Sequence, residues 1–253
     1  MSARTAPAAD RHRRRDLTDR DRTVVWQAAS LMLGYPDERL LGDLPLVGRV
    51  LEHVPDRCRR ALSETWEHLS TTPLGEAQAA YVDTFDTRRR HNLYLTYFAH
   101  GDTRKRGTAL LRFKQTYLAS GFTLDAEGDG ELPDHLCVVL EYAAAVDRAR
   151  GLGLLLDHRA GLELLRMALR DDASPWAGAV EAVCATLPPL RGEEHEAVRR
   201  LAAEGPPAEE VGLTPYGGPA FDARLHDTAG FPAAPTDLPM PAVRTGALPK
   251  ETR

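Results

Sequence analysis

Between Tyr81 and Tyr117 the sequence reads YVDTFDTRRRHNLYLTYFAHGDTRKRGTALLRFKQTY, eight Arg or Lys against three Asp. That local charge of +5 sits in a chain of formal charge −5, so the remainder carries −10 and the sequence separates a basic middle from acidic surroundings. Such a run can pair with carboxylates, hold an anion or form a solvated face. Arg104, Lys105 and Arg106 fall in the first turn of a helix expected to run to Tyr117. There each cation opposes the helix macrodipole at a cost of about 0.3–1 kcal/mol unless it is compensated. Asp86 and Asp102 are the natural partners, so Arg104 or Arg106 is expected to pair with one of them and to fix how two helices meet. Gly101 to Gly107 also reads as an anion cradle, glycines flanking basic residues at a helix start. It lacks the GxxxxGK[ST] pattern and a preceding strand, which argues against nucleotide hydrolysis.

Catalytic groups are sparse. His91, His100 and His135 are scattered with no HExxH pair, and His226-Asp227 lies in a proline-rich tail. Cys58, Cys137 and Cys184 are far apart with no CxxC spacing, so neither a disulfide framework nor a zinc site is written here and a reducing compartment fits. No enzymatic activity, metal or cofactor is expected. Arg88, Arg89, Arg90 and Arg104 to Arg106 with nearby tyrosines suit nucleic acid, but the acidic whole counts against it.

Two features suit a peptide instead. Phe85, Leu93, Tyr94, Leu95, Tyr97 and Phe98 crowd apolar bulk between charged runs, either as core or as the floor of a groove for an amphipathic segment. Tyr94 and Tyr97, with polar tips, are the better groove candidates. Downstream, Asp125, Glu127, Asp129, Glu131 and Asp134 form an acidic loop with no basic residue among them. Asp134 is placed as an N-cap after Pro133. The loop's carboxylates either answer the helix dipole or form a rim that attracts a basic peptide.

The elements that must position these groups all read as helices. Val25, Ala28, Ala29 and Met32 recur at helical spacing until Gly34-Tyr35-Pro36 stops the run. Leu40 to Leu51, Asp56 to Leu69, and a segment with Thr72 as N-cap and Pro73 in the first turn follow. Later stripes are Leu110, Phe113, Tyr117; Leu136, Val139, Leu140, Ala143, Val146; and Leu155, Leu162, Leu165, Leu169, with Ser174-Pro175 opening one more. No period-2 run of β-branched residues appears, so the fold expected is all-α, a single-domain helical bundle spanning 23–204. Residues 1–22, with seven arginines, read as a disordered arm; residues 205–253, with nine of the eighteen prolines, read as a disordered tail. The arm has no apolar run after Arg15, so it does not read as a signal peptide, and no stretch approaches about 18 apolar residues. A cytoplasmic protein with no membrane insertion is expected.

YVDTFD at Tyr81–Asp86, LYLTYF at Leu93–Phe98, GDTRKRG at Gly101–Gly107 and ELPDHL at Glu131–Leu136 occur in that order, after LMLGYPD at Leu31–Asp37. In these motifs the chain resembles the NarJ family of nitrate reductase assembly chaperones. The resemblance implies a helical fold shared with redox-enzyme maturation chaperones, and binding of the catalytic (alpha) subunit of nitrate reductase through its basic N-terminal leader. It implies that the apoenzyme is thereby kept competent for molybdenum cofactor insertion before it docks at the membrane, with transient contact with cofactor-delivery proteins. The residues expected to bind the client, or else to serve as scaffold, are Asp86, Leu93, Tyr94, Tyr97, Asp102, Arg104, Arg106, Asp134 and Glu141. The alternative is service to another molybdoenzyme, such as a dimethyl sulfoxide or trimethylamine oxide reductase; GDTRKRG and ELPDHL favour nitrate reductase on resemblance alone.

Overall fold

Helix follows helix through residues 17–124 and 131–205, the residues described by the computed structural model, and no strand occurs among them. In chain order these are α1 (Asp19–Met32), α2 (Glu38–Leu51), α3 (Asp56–Thr71), α4 (Leu74–Phe85), a 3-10 turn (Arg89–His91), α5 (Tyr97–His100) and α6 (Arg104–Leu118). After the acidic loop come α7 (Leu136–Ala145), α8 (Arg148–Asp157), α9 (Arg159–Asp171), α10 (Ala177–Thr186) and α11 (Gly192–Glu204). The all-α expectation holds. The arm up to residue 16, the tail from residue 206, and Asp125, Glu127 and Asp129 of the acidic loop lie outside the described residues.

The ends of the helices follow local chemistry. α1 begins at Asp19, ahead of the first apolar repeat, because Thr18 and Asp21 form a capping box: Asp21 N–H donates to Thr18 Oγ1 (3.1 Å) and Thr18 N–H to Asp21 Oδ2 (2.8 Å). Asp37 caps α2 by accepting from Leu40 N–H at 2.7 Å. At α4 the expected order shifts by one. Pro73 stands at the N-cap, whereas Thr72 closes α3 and its hydroxyl faces the His68 ring.

The stripe from Leu155 to Leu169 is two helices, because His158 leaves helical geometry (φ −111°, ψ 19°) and its Nδ1 donates to the Leu154 carbonyl at 2.9 Å. Val146, expected on the α7 stripe, is the residue after the last helical one and is exposed. α11 carries no apolar stripe strong enough to read, and none of its residues is fully buried.

The core lies where α10 packs on α3 and α1, and where α1 packs on α7. Ala177, Ala179 and Ala182 keep α10 slim, and a side chain at Gly178 would collide with the Ala61 carbonyl of α3. Large side chains fill the rest, with Trp26, Trp176, Tyr117 and Tyr142 fully buried. Two polar side chains in this core are paired across it: Trp26 Nε1–H donates to Thr186 Oγ1 (2.8 Å), and Thr65 Oγ1 donates to the Pro175 carbonyl (2.8 Å) while accepting from Ala179 N–H (3.1 Å).

Candidate functional site

The segment Leu93–Thr96 passes from a bridge residue at Tyr94 into a turn at Leu95 and Thr96, and it meets the turn before α7. Leu95 N–H donates to the Asp134 carbonyl (3.0 Å), Leu136 N–H to the Leu93 carbonyl (2.8 Å), and Tyr94 pairs with His135 in an isolated antiparallel bridge. Side chains lock this junction. Asp134 is fully buried, and its Oδ2 accepts from Thr96 Oγ1 at 2.5 Å and from Thr96 N–H at 3.2 Å. Arg106 enters from α6: its Nε donates to Thr96 Oγ1 (3.2 Å), one terminal nitrogen donates to Asp102 (3.2 Å) and the other lies 3.7 Å from Asp134. The guanidinium stands 5.1 Å from the centre of the Tyr94 ring, a cation–π arrangement. Tyr94 in turn donates to Glu131 at 3.0 Å, and burial first, then Glu131's charge, pushes its phenol up to about 12. Burial pulls His135 down, against the opposing charge of Glu131, so the ring beside Tyr94 is neutral near pH 7.

This junction delivers the single turn α5 to the face of α9. A Cβ at Gly161 would come within 2.8 Å of Phe98 Cβ, so glycine is what lets the ring seat on the helix. Between α5, α9 and α11 lies a groove of about 860 Å³. Its floor is Tyr97, Phe98, Leu164, Met167, Ala168 and Leu201; its rim is Arg89, Arg90, Asp102, Asp171 and Glu204. Met167 is 41% exposed there. On α9's buried face Glu163 is held between Arg159 and Arg166, each at 2.7 Å.

A second knot fixes the turn carrying Arg89 and Arg90. His91 is buried, with Nδ1 3.0 Å from the Thr84 carbonyl and Nε2 3.1 Å from Asp172 Oδ2. Arg88 bridges Asp83 and Asp172, at 3.0 Å to each. Its hydrogen bond holds the Asp172 carboxyl below the usual carboxylate range.

The structure divides the sequence-expected residues into three sets. Tyr97 and Asp102 line the groove. Leu93, Tyr94, Arg106 and Asp134 form the junction behind it, where Leu93 and Asp134 are buried. Asp86, Arg104 and Glu141 are exposed elsewhere, at the end of α4, the start of α6 and on α7.

Of the pairs expected between Arg104 or Arg106 and Asp86 or Asp102, Arg106–Asp102 forms, but as a local contact four residues apart rather than a tie between two helices; Asp86 makes no ion pair among the described residues. Asp134 does not cap α7. His135 takes the N-cap position, because the Asp134 carboxylate is turned inward to Thr96. Leu164, Met167, Asp171 and Leu201 escaped the sequence reading. The signal for two of them was present: Leu164 and Met167, three apart, lie off the Leu162–Leu165–Leu169 stripe and give α9 a second apolar edge.

The family model described as nitrate reductase delta subunit matches residues 52–182, which include the junction, α5 and α9. The chain belongs to that family, the family of the NarJ proteins. Among family relatives, the Bacillus subtilis protein named "Probable nitrate reductase molybdenum cofactor assembly chaperone NarJ" is 32% identical over 171 residues, 66% of this chain and 90% of that one. The "Nitrate reductase-like protein NarX" of Mycobacterium tuberculosis (strain ATCC 25618 / H37Rv) is 44% identical over 163 residues, 64% of this chain. The match spans only 24% of NarX's own length. A solved redox enzyme maturation protein from Archaeoglobus fulgidus aligns with a TM-score of 0.48 at 23% identity, over 68% of this chain and 94% of that one.

Proposed function

We propose that this chain is a nitrate reductase molybdenum cofactor assembly chaperone and not an enzyme. It holds the catalytic subunit by its N-terminal leader, in the cytoplasm, until the cofactor is inserted and the subunit docks at the membrane. The observation that carries this reading is the groove between α5, α9 and α11 in a chain of the NarJ family. Its apolar floor suits the apolar side of an amphipathic leader, and the three rim carboxylates Asp102, Asp171 and Glu204, against the two cations Arg89 and Arg90, suit the basic side. Tyr97 and Asp102 contact the leader directly. Leu93, Tyr94, Arg106 and Asp134 act through the junction that holds α5. The NarJ name of the relatives favours nitrate reductase over a dimethyl sulfoxide or trimethylamine oxide reductase as client. The helical unit carries the activity, and the arm and tail flank it.

The test is calorimetric titration of a synthetic leader peptide of the nitrate reductase catalytic subunit into the full chain, beside a scrambled peptide. Saturable binding of the native order alone is expected, and Met167→Glu should weaken it at least about tenfold, which is about 1.4 kcal/mol. Equal heats for both peptides, or full affinity in the variant, would overturn the groove as the leader site.

A further inference from the structure

α6 turns two faces to its surroundings. Of its residues only Phe113 and Tyr117 are buried. On the opposite side Leu111 and Leu118 are 55% and 59% exposed, the two most exposed large apolar side chains among the described residues. Seven residues apart, they share one helix face, roughly 10 Å along the axis. Lys114 flanks them on one side of the helix, and Arg112 and Lys105 on the other. From Thr103 to Leu124 the sequence holds no Asp or Glu. Lys105 and Lys114 take part in no salt bridge among the described residues.

Beside this ridge runs an open trough of about 410 Å³ between α6 and α8. Arg112, Gln115 and Ala119 form one wall, and Arg150, Gly153 and Leu154 the other. Arg112 bridges the trough to Asp157 at 3.5 Å. A side chain at Gly153 would meet nothing within 4 Å, so the α8 wall is open there.

We propose that the α6–α8 face docks an acidic amphipathic helix of a protein partner, separate from the basic leader. Leu111 and Leu118 meet the apolar stripe of that helix, and Lys105, Arg112 and Lys114 meet carboxylates beside it. Charge selects the sign of the partner. Shape selects its class, since the shallow trough beside the ridge adds the α8 wall to the surface that a rod-like helix can reach, whereas a flat bilayer reaches only the ridge. The inference does not depend on what the α5–α9–α11 groove binds.

The test uses the full chain and a labelled designed peptide of about 18 residues, long enough to be helical, with leucines at helical spacing and glutamates on their flanks. Fluorescence anisotropy compares it with a scrambled peptide of the same composition, a lysine-for-glutamate version, and phosphatidylglycerol vesicles. Sedimentation velocity reports self-association. Saturable binding of the acidic helix alone is expected. It should weaken at least about tenfold in the Leu111→Ser/Leu118→Ser double variant and in Lys105→Glu/Lys114→Glu, and stay unchanged in Met167→Glu. All these positions are exposed, and circular dichroism verifies that the variants fold. Equal binding of the scrambled peptide would reduce the face to charge attraction and overturn the proposal. Binding to vesicles alone, leucine-dependent self-association, or no binding at all would overturn it equally.

Discussion

Two regions of this molecule are held together by different physics. Where α10 crosses α3 and α1, small residues bring backbones close and apolar side chains fill the interior. Where Leu93–Thr96 meets the turn before α7, the fixing contacts are a buried carboxylate, a threonine hydroxyl and a guanidinium. Close packing tolerates few shapes. A buried polar junction tolerates shape but depends on each partner being present. The groove is built against the second region, so its geometry is set by a few named polar contacts.

The largest expected effect falls on the packed region. Gly178→Val drives a side chain into the Ala61 carbonyl, and overpacking of this kind is expected to cost about 3 kcal/mol in urea denaturation. The helices there should separate without a change specific to leader binding beyond the loss of folded chain.

A smaller loss is expected at the junction. Asp134→Ala leaves Arg106 with Asp102 as its remaining carboxylate, and about 2–3 kcal/mol is expected, below the usual range for a broken buried pair because Arg106 keeps that exposed partner. Leader affinity should fall as well in the chain that remains folded, because α5 loses its tether. Replacing both charges, as Asp134→Leu/Arg106→Met, should recover part of the stability, since no buried charge is then left unpaired. If the single variant were neutral, the distinction between the two regions would collapse.

The smallest effects are those of pH. Burial lowers His158 and His135 in the folded chain, so the stability they contribute is present above the unfolded value near 6.5 and is lost as pH falls through their folded values. Asp147 is held down to about 2, first by the Arg150 N–H and then by its guanidinium, and Asp172 is held below the usual range by Arg88. Their contribution is present above the unfolded value near 4 and is lost as pH falls below it. Urea midpoints should therefore decline in two windows, the first reduced by His158→Gln and the second by Asp147→Asn. A single decline unaffected by either substitution would remove this assignment.

Periodicity made the packed region legible. Val25, Ala29 and Met32 on α1, and Leu136, Val139 and Leu140 on α7, read as core and are core, because burial of a helix face leaves a repeat in the sequence. The junction left a weaker trace. Arg104 and Arg106 were readable as cations against the dipole seeking Asp86 or Asp102, and of these pairs Arg106–Asp102 forms. Asp134 was misread as a cap, because an aspartate before a helix looks the same whether its carboxylate turns to the helix or to Thr96. The break at His158 was also hidden, since α8 and α9 continue one apolar stripe across it. The groove was least legible. Its walls come from α5, α9 and α11, far apart in the chain, and α11 has no buried stripe to announce it.

The central claim is that the α5–α9–α11 groove receives the leader. Amide hydrogen exchange of the full chain with and without the leader peptide tests it most directly. The account predicts slowed exchange in residues 97–102, along the α9 segment around Leu164 to Asp171, and at the end of α11 around Leu201, with α6 and α8 unchanged. Protection confined to α6 and α8, or bound leader with no protection at α9, would contradict it.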